Sequence, residues 1–146
     1  GEEKTSSITR TGYLNELKQL TKQLNLGNNV TFVGKKPSQE LKTFYQSADI
    51  FVYPSLYENF AQPLLEAAAY GLPLISTSVG IARDIIIEGE TGYQISGKPE
   101  EIKERIESLK DSKLRLQMGQ RIQNEVKNRF DWKNIMEQYM SIYCSL

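Results

Sequence analysis

The chain has 146 residues, 39% of them apolar and 25% charged, which is enough to build a globular domain around a hydrophobic core. Its 18 lysines and arginines balance its 18 aspartates and glutamates, which argues against the basic field that gathers nucleic acid. Because it has no histidine, Ser-His-Asp and Cys-His catalysis and histidine-bound zinc are excluded within this chain, and no carboxylate cluster has the spacing of a metal site.

No stretch approaches the roughly 20 consecutive apolar residues that a transmembrane helix needs. The first ten residues, GEEKTSSITR, are polar and lack the apolar core of a signal peptide. The one cysteine, Cys144, lies near the end of an apolar-faced segment, which predicts a buried thiol. These features favour a reducing, cytoplasmic location and leave peripheral attachment to the inner face of the membrane open.

The first half of the chain alternates helical and strand patterns. Apolar residues at helical spacing predict a helix over residues 11–26, and the run VTFV predicts a strand over 30–33 that ends at Gly34. Ser38 can cap a second helix. Residues 50–53 are apolar throughout, as in a strand that is buried on both faces.

The second half continues the alternation. Pro63 suits the first turn of a helix that ends near Gly71. Strands are predicted at 74–77 and, at the edge of the sheet, at 93–95, followed by three helices at 101–110, 112–128 and 131–143. This order predicts an α/β fold, in which a Rossmann-like parallel sheet carries helices on both faces within one domain over residues 1–146. Three or four strands are few for such a sheet, so we expect its first strand or strands to precede Gly1.

The turn at residues 55–62 is the candidate binding site. Ligands of an open parallel sheet bind where strands end and loops enter helices, and this turn follows the strand at 50–53. The backbone N–H groups of Asn59, Phe60, Ala61 and Gln62 would approach the start of the next helix. Unpaired amides and the positive end of a helix dipole favour a phosphate group there.

Two glutamates flank these amides. Glu58 lies in the turn, where its carboxylate can accept hydrogen bonds from ligand hydroxyls, and Glu66, one turn into the helix, can reach back to the same cavity. A nucleotide sugar has both phosphate and hydroxyl groups. The alternative is that Glu58 is solvated and that Glu66 only interacts with the helix dipole, and spacing alone favours this alternative because charged residues are mostly exposed.

A family resemblance reverses that balance. Residues 58–73, ENFAQPLLEAAAYGLP, resemble the donor-binding motif of glycosyltransferase family 4, the retaining nucleotide-sugar enzymes with two Rossmann-like domains in the GT-B fold. Nearly the whole chain is similar to that family in order, including the segments NVTFVG (29–34), ADIFVYPS (48–55), SVGIARD (78–84), EGETG (88–92) and FDW (130–132). The resemblance implies the carboxyl-terminal, donor-binding half of a GT-B fold without its first strand or strands.

The resemblance also implies roles for the site residues. Glu58 would be the catalytic glutamate that binds hydroxyls of the transferred sugar, and Glu66 would bind the ribose hydroxyls. Backbone amides near Phe60 and Ala61 would hold the diphosphate and stabilise the charge of the departing nucleotide. The complete donor-binding set is Gly34, Lys36, Ser38, Asn59, Phe60, Ala61, Gln62 and Glu66. Of these, Gly34, Lys36 and Ser38 would frame the nucleobase, and a solvated turn is an equal alternative for Lys36.

The implied activity is transfer of a hexose from a UDP- or GDP-linked sugar to a sugar or lipid acceptor, without a cofactor or a metal ion. The family's acceptor-binding amino-terminal domain is absent here, as are the arginine and lysine that clamp the donor phosphates, so we expect the isolated chain to be inactive. A non-catalytic interaction or regulatory module on the same fold is the alternative. A flavodoxin-like receiver is set aside, because no first strand with an acidic cluster is visible.

Two departures from the family, Ala61 and Ile81, motivate that alternative, and Asn59 is a milder change because asparagine tolerates a positive φ. Asn59 and Ala61 stand where the family's turn has glycines, and Ile81 replaces the second glycine of a later pair. If position 61 requires a positive φ or close approach to phosphate, alanine would weaken donor binding. Ile81 beside the sugar pocket would narrow it, and Asp84 replaces the usual glutamate nearby.

The last predicted helix carries an apolar stripe of Trp132, Ile135, Met136, Tyr139 and Ile142. In the family this helix returns towards the domain that is absent here, which would leave the stripe partly uncovered. The alternative, which we favour from the sequence, is that the stripe packs on this domain.

Overall fold

The computed structural model describes residues 2–145, with side chains from residue 12 onward. The chain divides into two compact units, Gly1–Pro37 and Ser38–Leu146, and each is described by itself. The expectation that Gly1 closes a strand before the first helix lies outside the described residues. The single domain over residues 1–146 stays a prediction.

The first unit is a helix followed by turns. Helix α1, Glu2–Gln23, begins nine residues earlier than the pattern predicts. The predicted strand at 30–33 is wrong, because these residues form no strand and Val30, Phe32 and Val33 are exposed. A strand needs a neighbour for its backbone N–H and C=O groups, and the rest of the described part of this unit is helix and turn.

The second unit contains a parallel sheet. Its strands are β1 (Phe51–Tyr53), β2 (Leu74–Thr77) and β3 (Gly92–Ile95), in the order β1-β2-β3. Val52 lies opposite Ile75, which lies opposite Tyr93. The strand at 74–77 and the edge position of the strand at 93–95 are confirmed.

Helices cover both faces of this sheet, as expected for the α/β fold. Leu74 packs in one core cluster with Leu64, and its neighbour Ile75 packs in a second cluster with Leu109, since alternate residues of a strand point to opposite faces. The helices are α2 (Ser38–Ser47), α3 (Gln62–Ala69), α4 (Ala82–Ile85), α5 (Pro99–Ser108), α6 (Ser112–Phe130) and α7 (Trp132–Cys144).

The apolar stripe of α7 is exposed. Trp132 is 75% exposed and Tyr139 55%, and Met136 and Ile142 are also more exposed than buried. The expectation that this stripe packs on the chain is therefore wrong, and so is the buried thiol, since Cys144 is exposed. The main neighbour of α7 in this unit is α6, which leaves the other faces of α7 in solvent.

Candidate functional site

The turn between β1 and α3, residues 54–61, is anchored to the turn that follows β2. The Ser76 hydroxyl donates to the carbonyl oxygen of Tyr53 at 3.1 Å, and the Thr77 hydroxyl donates to that of Ser55. At the other end, the Ile81 N–H donates to the carbonyl oxygen of Phe60 at 2.9 Å. Two neighbouring strand ends thus form one surface at the carboxyl edge of the sheet, where ligands of such sheets bind.

The amides of this turn have no internal partners. Among the residues that the structure describes, none accepts a hydrogen bond from the backbone N–H of Asn59, Phe60, Ala61 or Gln62. They lead into the amino terminus of α3, where the helix dipole is positive. The arrangement can bind an anion through several N–H groups at once.

Position 61 does require a left-handed backbone. Ala61 has φ 60° and ψ 52°, which costs a residue with a Cβ roughly 1–2 kcal/mol. Ala61 is only 4% exposed and belongs to the core cluster of α3, so burial of the methyl group offsets part of that cost. Asn59 has a negative φ and needs no glycine.

Ile81 does not narrow the site. Its side chain is buried in the same core cluster and its φ is −68°, an ordinary right-handed value. Ile81 does not line the cavity at Glu58 that is described below, because its side chain turns into the core. Gly80 faces the site instead.

Glu58 is held in place by a tyrosine. The Tyr53 hydroxyl, at the end of β1, donates to Glu58 Oε1 at 2.7 Å. Glu58 lines a cavity of about 300 Å3 at the joined turns. Other residues at this cavity are Leu56, Tyr57, Asn59, Ser78, Gly80 and Arg83.

Glu66 lies at a different cavity. Its Oε2 accepts from the Tyr45 hydroxyl of α2 at 3.1 Å, and its Oε1 accepts from the Gln62 side-chain amide at 3.0 Å. With Phe60 and Gln62 it lines a cavity of about 870 Å3 between α3 and the α6–α7 junction. The two glutamates therefore line separate cavities among the described residues, and Tyr45 of α2 and Gln62 of α3 hold the Glu66 carboxylate. The glutamates do bracket the turn, one on each side.

The tyrosines that donate to the two glutamates, Tyr53 and Tyr45, both have a raised pKa. Partial burial, followed by the hydrogen bond to Glu58 and its negative charge, raises the pKa of Tyr53 from 10 to about 12. Burial and the bond to Glu66 likewise raise the pKa of Tyr45 to about 12. Folding thus favours the protonated phenols, so their stabilisation is complete below pH 10 and is lost as the pH rises towards 12.

Tyr53→Phe should remove part of the stability that the protein loses at alkaline pH. We expect the free energy of unfolding to fall by about 1 kcal/mol below pH 10, because a hydrogen bond to a carboxylate is lost. The decline between pH 10 and 12 should become shallower. Urea titrations across that range measure both effects, with Tyr57→Phe as the control, since that hydroxyl bonds only the neutral Asn59 amide oxygen. An unchanged pH profile in Tyr53→Phe would contradict the assignment.

Arg83 is a site residue that sequence reasoning missed. It lies on α4, and its Nε donates to the carbonyl oxygen of Ser78 at 2.9 Å. The signal available in the sequence was its place just after the turn that follows the strand at 74–77. That turn shares the sheet edge with Glu58. The family resemblance, in contrast, directs attention to basic phosphate contacts that are absent from this chain.

The three nucleobase candidates belong to both units. Gly34 has φ 63° and, with Lys36, lies in the first unit, whereas Ser38 begins α2 in the second. Their shared role stays a prediction. Among residues 2–145 no helix is long and apolar enough to span a membrane. Among the side chains that the structure describes, no group of three His, Cys, Asp or Glu could hold a metal ion.

The chain matches known proteins across this site. The sequence profile of the family described as glycosyl transferases group 1 matches residues 10–125, which include both turns and α3. The D-inositol 3-phosphate glycosyltransferase of Corynebacterium urealyticum is 30% identical over 132 residues, covering 89% of this chain and 31% of that protein. The chain thus spans about a third of the length of such curated relatives.

Two solved structures share the fold. The carboxyl-terminal domain of a glycosyl transferase group 1 protein (LpcC) from Francisella tularensis superposes with a TM-score of 0.77 at 32% identity, over 83% of this chain and 64% of that one. HepE of Anabaena in complex with UDP superposes with a TM-score of 0.86 at 24% identity, over 94% of this chain and 38% of that one. The expected GT-B architecture is confirmed. The chain belongs to the group 1 glycosyl transferases.

Proposed function

We propose that the chain is the donor-binding part of a retaining hexosyltransferase of family 4 that uses a UDP- or GDP-linked sugar. The observation that carries this proposal is the set of four unpartnered amides at the start of α3, beside the carboxylate of Glu58. A nucleoside-diphosphate sugar has a diphosphate for the amides and hydroxyls for the carboxylate. Lipid or sugar acceptors and a cytoplasmic location remain part of the proposal.

The amides of residues 59–62 would hold the diphosphate. The dipole of α3 adds to their attraction, and both act on the charge that grows on the departing nucleotide. Because anchors at Tyr53, Ser55 and Phe60 fix the turn, these donors need little rearrangement when the ligand binds.

Glu58 would bind hydroxyls of the transferred sugar. Tyr53 occupies one lone pair of Oε1, which leaves the other acceptor positions of the carboxylate for the ligand. Glu66 would bind the ribose in the same way, since Tyr45 and Gln62 each take one position on different oxygens. Gly34, Lys36 and Ser38 would frame the nucleobase.

The rest of a longer protein would complete the site. We propose that it supplies the acceptor site and the basic phosphate contacts, and that it covers the exposed stripe of α7. This chain alone should then bind a donor weakly and transfer no sugar.

The test is a calorimetric titration of the full-length protein with UDP and GDP and, as the matched ligands without phosphate, with uridine and guanosine. We expect UDP or GDP to bind, and the nucleoside of the bound nucleotide to bind at least about tenfold more weakly, because it lacks the groups that the amides contact. Equal affinity for nucleotide and nucleoside would contradict the role of the amides.

If the chain is instead a non-catalytic module, neither UDP nor GDP should bind at millimolar concentration. The two residues that favoured this alternative from the sequence, Ala61 and Ile81, support it less in the structure. Ala61 adopts the required left-handed conformation with its methyl group in the core, and Ile81 lies outside the cavity.

A further inference from the structure

The cavity of about 300 Å3 at Glu58 is lined by an arginine, Arg83, for which the proposed function gives no role. Of the residues that line it, Arg83 is the only one with a positive charge and Glu58 the only one with a negative charge. No ion pair joins them, because Tyr53 holds the carboxylate and the Ser78 carbonyl holds the guanidinium. The two charges therefore face the same space separately.

Arg83 differs from the other arginines. Every other arginine whose side chain the structure describes is paired with a carboxylate: Arg105 with Glu88, Arg115 with Asp49, Arg121 with Glu90 and Arg129 with Glu125. Arg83 is bonded only through Nε, within the described residues. Its two terminal nitrogens have no partner among the described residues, on an exposed side chain that one hydrogen bond to Ser78 orients.

We propose that Arg83 binds an anionic group, a carboxylate or a phosphoryl group, on the substrate whose sugar contacts Glu58. The inference rests on the proposed function, which it deepens by naming a substrate class. A guanidinium with both terminal nitrogens available matches two oxygens of such a group in parallel hydrogen bonds. Arg83 keeps its protons when it binds this group, and no covalent bond is made or broken.

The opposite charge of Glu58 orients this substrate. An anionic group is repelled by the carboxylate and attracted to Arg83, whereas hydroxyls prefer the carboxylate. The cavity volume, at the small end of ligand sites, suits one sugar ring with its substituents.

The donor diphosphate is a different anion. The cavity of Arg83 is lined by Glu58 and Asn59 but not by Phe60, Ala61 or Gln62, which lead into α3. Because three of the four amides assigned to the diphosphate lie outside this cavity, we place Arg83 on the sugar side of the turn. Two sources remain for its ligand: a uronic acid as the transferred sugar, or an acidic acceptor that lies next to that sugar.

The first arm of the test concerns the donor. The full-length protein is titrated with UDP-glucose and UDP-glucuronate, or with GDP-mannose and GDP-mannuronate if it binds GDP. For an acidic donor we expect the uronate to bind about tenfold more tightly, a preference that Arg83→Gln removes and Arg83→Lys only reduces. Arg121→Gln, which also removes one surface arginine charge, should keep the preference.

The second arm concerns the acceptor. Inorganic phosphate is titrated into the protein in the presence of saturating UDP or GDP, whichever it binds, so that the amides of residues 59–62 are occupied. We expect saturable binding that is lost in Arg83→Gln and kept in Arg121→Gln. The wild-type uronate preference needs no variant, so a folding defect cannot hide it. If the wild type shows neither the uronate preference nor phosphate binding, or if Arg83→Gln changes neither, the inference is overturned.

The two proposals fail separately. Absence of UDP and GDP binding would overturn the proposed function. The difference in phosphate affinity between the wild type and Arg83→Gln would still decide the role of Arg83. Normal nucleotide binding without an effect of Arg83→Gln in either arm would overturn only the inference.

Discussion

Replacing Glu58 by glutamine in the full-length protein should lower kcat/KM by about 100-fold, on the strength of one or two hydrogen bonds to a charged acceptor. Glutamine keeps an oxygen that can accept from Tyr53, so the turn should keep its shape. Its NH2 group, however, faces the sugar hydroxyls as a donor without charge. The loss should therefore affect sugar transfer more than nucleotide binding.

Steady-state kinetics and a UDP titration of the same variant separate these two effects. Glu104→Gln is a matched control, because Glu104 is an exposed residue of α5. Unchanged turnover in Glu58→Gln would remove Glu58 from catalysis. Loss of UDP binding together with turnover would show that the substitution disturbs the turn instead.

Gly80→Ala should destabilise the protein by about 3 kcal/mol or more and weaken nucleotide binding with it. A Cβ at position 80 would lie 2.5 Å from the carbonyl oxygen of Phe60 and 2.6 Å from its carbonyl carbon. The hydrogen bond from Ile81 N–H to that oxygen prevents the turns from separating cheaply. The left-handed φ of 47° adds to the cost.

Gly89→Ala is the control for the backbone penalty alone. Gly89 also has a left-handed φ, 76°, but nothing lies within 4 Å of the position where its Cβ would be. Its replacement should cost about 1 kcal/mol. Thermal unfolding of both variants gives the difference, and equal costs would show that the contact between the turns is not tight.

The sheet could be predicted because its strands carry the information locally. The apolar pair Leu74-Ile75 and the β-branched Thr77 directly follow the turn at Gly71 and Pro73, and the structure places β2 at residues 74–77. The strand at 30–33 and the stripe of α7 show the limit of this argument. An apolar pattern tells that a segment tends to be buried, but not which neighbour buries it.

The site depended on contacts between distant residues, which patterns do not contain. The position of the turn and its amides followed from strand and helix order. That Tyr45, 21 residues away, holds Glu66 could not be predicted, because it depends on how α2 packs on α3. The direction of Ile81 and the place of Arg83 depended likewise on the shape of the turn after β2.

The anchoring of the turn at residues 54–61 has a consequence for how such a site can diversify. Its two ends are fixed by hydrogen bonds from the hydroxyls of Ser76 and Thr77 and from the backbone N–H of Ile81. Leu56 and Tyr57 at its tip, in contrast, are 85% and 80% exposed. Substitutions at the tip therefore cost the fold little, yet both side chains line the cavity of Glu58 and Arg83. If the proposed function holds, selection can exchange these two residues to favour a new sugar while the backbone proposed to bind phosphate stays unchanged.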